Sequence, residues 1–258
     1  MKHDVITLTE TKIDAKVTQK SLSIPGYSLN RQDRTACGGG VATYTRSTLK
    51  PVQLSEQQER YVAAGLEVTI TKLTLPKPAP CVVVVGVYRP PQTNTDWFTK
   101  LDDLVEEVST DGALVIMGDL NADIRKDDMN PGKALMSSLA VAGMKIHSTE
   151  PTRITATSQT CLDIIATDAA IQCSEYRVGT ESASDHFPVM AKIANHAPAD
   201  LKPITKRSFA RIDQSELAAR VEAIDLGQQN DSTPDTLLDK WNESMVAILD
   251  EMEPIRNL

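Results

Sequence analysis

The sequence predicts an α/β or α+β protein built on packed sheets, and three observations carry the prediction. Apolar, β-branched runs such as "CVVVVGVY" (81–88) and "LVIM" (114–117) recur through most of the chain. Helical periodicities are interspersed among them rather than dominant. No apolar run is long enough to cross a bilayer.

The elements can be justified in order. Val5–Thr9 alternates and reads as a strand. "GGGVATYT" (38–45) is a glycine turn running into another strand. "AAGLEVTITKLTL" (63–75) alternates well enough for a half-buried strand. "PAPCVVVVGVYRPP" (78–91) is a central strand closed sharply by two prolines. Trp97, Leu101, Leu104, Val105 and Val108 follow at helical spacing, with Thr95 or Asp96 as the cap. Leu114–Met117 reads as a strand buried on both faces, broken by Gly118. Pro131, after Asn130, opens a helix carrying Leu135 and Leu139, and Gly143 ends it. "CLDIIATD" (161–168) and "FPVMAKIA" (187–194) are further strands.

The pattern changes after Ala194. "NHAPADLKP" (195–203) reads as a linker. Asp213 with Glu216 suggests a capping box, and Pro234 opens a longer amphipathic helix with Leu237, Leu238, Trp241, Met245, Ile248, Leu249 and Met252. The expected division is therefore a domain at 1–195 and a linker with a helical segment at 196–258. A helical pair that packs on the domain or on a partner explains that segment without assigning it chemistry.

The net charge is −8, which argues against a strongly polyanion-binding chain, but residues 1–195 contribute only −3 and residues 196–258 contribute −5. Cys37, Cys81, Cys161 and Cys173 show no CxxC pairing, which argues against a zinc site. With no secretory apolar segment at the start, they read as reduced thiols.

The chemistry lies where strands end in polar groups. "GDLNADI" puts Asp119 and Asn121 just past an apolar strand. Alone, that would be an ordinary turn. Four other strands do the same. Glu10 follows the first strand; Tyr88 and Arg89 end "VVGVYRPP"; Asp163 sits inside "LDII", where an unpaired carboxylate would be costly; Ser184, Asp185 and His186 precede the last strand. Each has a bland reading as a surface, paired or structural residue. Five such ends in one chain do not.

The ordered set "TET", "GVYRPP", "GDLNADI", "LDII" and "SDHFPV" resembles the endonuclease/exonuclease/phosphatase superfamily. "GGGVATY", "YRPP" and "PTRIT" look most like the endonuclease domain of non-LTR (LINE-type) retrotransposons. The helices after the domain, including "ARID", resemble the segment that precedes a reverse transcriptase. The resemblance implies a DNase I-like four-layer sandwich, with two facing, mostly antiparallel sheets flanked by helices. It also implies a Mg²⁺-dependent phosphodiester hydrolase, with Mn²⁺ as the substitute cation, that nicks DNA. The partners would be DNA and a reverse transcriptase domain outside this chain, with no membrane. The location would be intracellular, and nuclear for action on chromosomal DNA. In the site so implied, Glu10 is the principal metal ligand and Asp185 lies near the metal. Asp119 orients or deprotonates the attacking water, and Asn121 helps to hold the phosphate. His186 stabilises charge on the phosphoryl oxygen, buttressed by Asp163. Tyr88 donates to the phosphate or leaving oxygen. Arg89 contacts the backbone, Thr152 or Thr155 contacts phosphate, and Ser184 shapes the loop or touches phosphate.

The family pattern is broken in one place. Its first strand carries an asparagine, and a helix follows before the glutamate strand; here only Met1–Asp4 precede that strand. The expectation is a chain lacking that strand and helix, with impaired activity. Two rivals stand beside the nuclease reading. One is a phosphatase or phospholipase of the same superfamily, which the sequence favours less because it shows no basic pocket for inositol phosphates. The other is an inactive retroelement remnant or a non-catalytic interaction module.

Overall fold

The computed structural model describes residues 3–75, 81–125, 131–169, 171–182, 184–194, 205–206, 212–225, 234–254 and 256–257. Two compact units are present, residues 1–199 and 200–258.

A mixed six-stranded sheet is the frame of the first unit. It consists of β4 (Pro51–Gln53), β5 (Glu67–Leu73), β6 (Val82–Tyr88), β7 (Ala113–Asp119), β8 (Met144–Ile146) and β11 (Asp163–Asp168), in the order β4-β5-β6-β7-β11-β8. Only β6 and β7 run parallel. They are joined by α2 (Asp96–Val108), the crossover helix that a parallel pair requires. With α1 (Ser55–Ala63) and α3 (Pro131–Val141), α2 covers one face of this sheet. Val83, Val85, Val87, Leu114, Ile116 and Ile164 meet Trp97, Phe98, Leu101, Leu104, Leu135 and Leu139 there, all buried.

The opposite face packs against smaller sheets. One is three-stranded, with β3 (Val41–Arg46) between β1 (Val5–Thr9) and β2 (Tyr27–Gln32). Another pairs β12 (Gln172–Val178) with β13 (Val189–Ala194). Here Val84, Val115 and Ile165 meet Val5, Val189, Ala191 and Ile193. The Thr43 hydroxyl is 3.1 Å from that of Thr7 and 2.6 Å from that of Thr69, so a polar seam joins the sheets. Gly86 makes room for it: a Cβ there would lie 2.5 Å from the hydroxyl oxygens of both Thr43 and Thr69. On the outer side of the three-stranded sheet, Tyr44 donates to the Leu22 carbonyl of a 3₁₀ turn at Gln19–Leu22. The result is a DNase I-like sandwich of facing sheets with helices. The remaining short pair is β9 (Arg153–Ile154) with β10 (Gln159–Thr160).

Two expectations need correction. The strand at 67–73 is not half-buried but buried on both faces, since α1 covers one side and β2 and β3 the other. Gly118 does not break its strand. It pairs with Ile164, while β7 runs on to Asp119. Its φ of +150° and missing side chain allow the chain to pass Val87, whose carbonyl oxygen would lie 1.8 Å from a Cβ.

In the second unit, Asp213 caps α4 (Gln214–Glu222) by accepting from the Glu216 amide, and α5 spans Pro234–Met252. Among the described residues, no helix is long and apolar enough to cross a membrane. Asn130, the residue before the helix that Pro131 opens, and the linker at 195–203 lie outside the described residues.

Candidate active site

The sheet register places three of the expected residues side by side. Tyr88 on β6 is opposite Asp119 on β7, and Asp119 is opposite Asp163 on β11. Adjacent strands lie about 4.8 Å apart, so these groups share one row at the edge of the site. Glu10 arrives from the end of β1, and His186 from the loop before β13. The Tyr88 hydroxyl donates to Glu10 Oε1 at 2.5 Å. His186 Nδ1 is 2.9 Å from Asp163 Oδ2 and 4.0 Å from Asp119 Oδ2.

Short-range bonds fix the orientations. Asn121 sits at φ +44°, a left-handed turn that asparagine tolerates. Its amide donates to Asp119 Oδ1 at 2.9 Å, and its side chain donates to the Arg89 carbonyl at 2.9 Å. The His186 loop is tied down by the segment around Thr152. Phe187 N donates to Thr152 O at 2.7 Å, and Arg153 Nε donates to Asp185 Oδ2 at 2.7 Å.

Charge is concentrated here. Burial pushes the Asp119 carboxyl up to about 7, and the charges of Asp163 and Glu10 add to the rise; the Asn121 amide and His186 oppose it. The hydrogen bond that His186 donates to Asp163 holds the imidazolium above its ordinary range, with the nearby Asp119 and Asp185 carboxylates adding to the effect. Tyr88 is raised by burial, then by its bond to Glu10, so its hydroxyl stays protonated. One ligand atom each from Asp119, Asp163 and His186 lies within 4.8 Å of the others, and Glu10 is near enough to act electrostatically on Asp119. An under-compensated set of carboxylate oxygens around a buried Asp119 suits a hard divalent cation.

Several expected roles do not match the positions found. The Arg89 side chain is only 2% exposed. Its guanidinium carbon lies 5.1 Å from the Phe98 ring centroid and 6.0 Å from that of Trp97, and the group donates to the carbonyls of Leu120, Asn121 and Thr93, so it is engaged inside the protein rather than offered to a phosphate. Thr152 is fully buried, and its hydroxyl oxygen accepts the amides of Leu162 and Asp163 at 3.0 Å each; it holds the start of β11 in place. Thr155 bonds Ser158 within its own turn. Asp185 stands outside the cluster, with its carboxylate held by Arg153 and its pKa lowered by that bond. Ser184 Oγ accepts from His186 N at 3.1 Å and so shapes the loop. Two polar residues beside the site, Arg34 and Glu67, carry no motif in the sequence and went unread. The one signal was a glutamate opening a buried strand.

The Endonuclease/Exonuclease/phosphatase family profile matches residues 1–186. No curated protein matches the sequence. Solved structures do. An AP endonuclease, LMAP, from Leishmania major aligns at 14% identity and TM-score 0.59, covering 75% of this chain and 78% of its own. The endonuclease domain of TRAS1, a telomere-specific non-LTR retrotransposon, aligns at 17% identity and TM-score 0.53, covering 67% and 80%. ANGEL2, a 2′,3′-cyclic phosphatase, aligns at 17% identity and TM-score 0.52, covering 74% and 81%. These likenesses speak to the fold.

Proposed function

The chain belongs to the endonuclease/exonuclease/phosphatase family, and from that premise we propose that it is a divalent-metal-dependent endonuclease that nicks DNA. Phosphodiester hydrolysis is the chemistry of the family. The observation that carries the reading here is the row Tyr88–Asp119–Asp163, closed over by Glu10 and His186. A phosphodiester is anionic and resists attack, so the site must both activate water and absorb charge.

The residues divide that work. Asp119, in its ionised form, takes a proton from the attacking water. Asn121 fixes the Asp119 carboxylate through its amide. His186 gives its Nδ1 side to Asp163, which leaves Nε2 to donate to a phosphoryl oxygen as charge develops. Tyr88 keeps its proton and holds Glu10. Glu10 would hold Mg²⁺, which would neutralise the phosphate and polarise its oxygen; Mn²⁺ is the natural substitute. Among possible substrates, the "GGGVATY", "YRPP" and "PTRIT" motifs favour a retrotransposon-type endonuclease, with residues 196–258 as the segment that would precede a reverse transcriptase.

The test is nicking of supercoiled plasmid with Mg²⁺ or with EDTA, run beside abasic DNA, a 2′,3′-cyclic nucleotide and a phosphoinositide. Mg²⁺-dependent nicking lost in Asp119→Asn and His186→Ala supports the reading. Cleavage of the cyclic nucleotide or the phosphoinositide with intact plasmid would replace it with a phosphatase.

A further inference from the structure

The row across the sheet has a fourth member. Glu67 on β5 is directly opposite Tyr88 on β6, so Glu67, Tyr88, Asp119 and Asp163 occupy one line over four neighbouring strands. Glu67 is 7% exposed, and its carboxylate has two close partners: Arg34 Nη1 at 2.6 Å and the Gly40 amide at 2.7 Å. Arg34 also donates through Nε to the Gly38 carbonyl at 2.8 Å, with its guanidinium carbon 6.0 Å from the Tyr88 ring centroid. The pair therefore grips the 38–40 glycine loop at both ends. Gly39 could bear no side chain here, since a Cβ would lie 2.1 Å from Arg34 Nε and 2.6 Å from Glu67 Oε2.

The loop passes that constraint on. The Gly40 carbonyl accepts from Thr11 N at 3.3 Å, and the Gly39 carbonyl accepts from Lys12 N at 2.9 Å. These are the two amides that follow Glu10. Glu10 and Lys12 themselves sit at φ +50° and +53°, a conformation that residues with side chains adopt only when their surroundings impose it. We propose that Glu67, braced by Arg34, is a positioning residue: it sets the left-handed turn that presents the Glu10 carboxylate to Tyr88 and to the cation. This role rests on the reading of Glu10 as a cation ligand. Partners that orient a ligand in this way are worth about 10- to 100-fold in metal affinity.

The experiment is Mn²⁺ titration of the full chain, followed by electron paramagnetic resonance, for wild type, Glu67→Gln, Glu10→Gln and the double variant. Glu67→Gln should weaken Mn²⁺ binding about tenfold. It should add nothing once Glu10 is already Gln, because its effect runs through that side chain. Arg34→Met, at a more exposed position, should show the same dependence and serves if Glu67→Gln does not fold. A Glu67→Gln protein that binds Mn²⁺ like wild type, or one whose loss persists in full beside Glu10→Gln, would overturn the proposal alone. Wild type that binds no Mn²⁺, or Glu10→Gln that binds like wild type, would overturn the cation reading of Glu10 and this role with it.

Discussion

His186 and Asp163 are in direct contact in the site, with Nδ1 2.9 Å from Oδ2. The contact fixes which ring nitrogen faces the carboxylate, and it favours the protonated ring. Asp163→Asn should let His186 lose its proton at a lower pH. The alkaline limb of the nicking profile should move down with it, and the rate at pH 8 should fall on the order of a hundredfold. A pH–rate series for both proteins, with an NMR titration of the imidazole, checks this. An unmoved limb would mean that His186 works uncharged.

Metal-free stability should depend on Asp119. Its folded pKa, about 7, is above that of an unfolded aspartate, so the folded state holds a proton that the unfolded chain has already released. Stability is therefore full below about pH 4 on this account and declines as pH rises towards 7. The raised His186 extends the decline to higher pH. Asp119→Asn should flatten the slope between pH 4 and 7. Urea melts in EDTA across that range measure it; an equal slope in the variant would show that the charge is compensated elsewhere.

Gly118→Ala should be severely destabilising. A Cβ would lie 1.8 Å from the Val87 carbonyl oxygen within the parallel pair, at a backbone angle that suits only glycine. The strands would have to separate beside Asp119, at a cost of about 3 kcal/mol or more. Chemical denaturation gives the number, and a loss under about 1 kcal/mol would mean that β7 shifts freely.

Arg89 distinguishes structure from substrate contact. Arg89→Met would strip donors from the carbonyls of Leu120, Asn121 and Thr93, so melting temperature should fall by several degrees and kcat with it, as the Asp119 turn loosens. A direct phosphate contact would instead raise KM with little change in melting. Thermal melts beside steady-state kinetics separate the two.

What the sequence made legible follows from where side chains are forced to point. Strand alternation and strand-end polar groups pointed to Glu10, Tyr88, Asp119, Asp163 and His186, which the fold brings together, and the buried strands β6 and β7 leave Tyr88 and Asp119 few places to go. Arg89 and Thr152 were misread because they adjoin the site in sequence while their side chains turn into the protein. Glu67 was invisible because its meaning depends on β5 being next to β6, a matter of topology. β12 escaped notice for a local reason: the register slips between Ser174 and Arg177, with Glu175 at φ +53°, so Cys173 and Tyr176 fall out of alternation.

The threonine seam over Gly86 has a consequence for how finely this site is dimensioned. Glu10 directly follows a strand of one sheet and Tyr88 ends a strand of the other, so the 2.5 Å bond between them reflects the clearance between the two sheets. Gly86 is two residues before Tyr88 on the same strand and face, and it sets that clearance by what it lacks. It works as a shim of zero thickness. Adding one methyl group there would act as a spacer, lifting the carboxylate off the phenol with every residue of the candidate site unchanged. Alignment in such sites matters to within about an ångström, so the chemistry proposed for this site would be gauged by a residue that bears no chemistry at all.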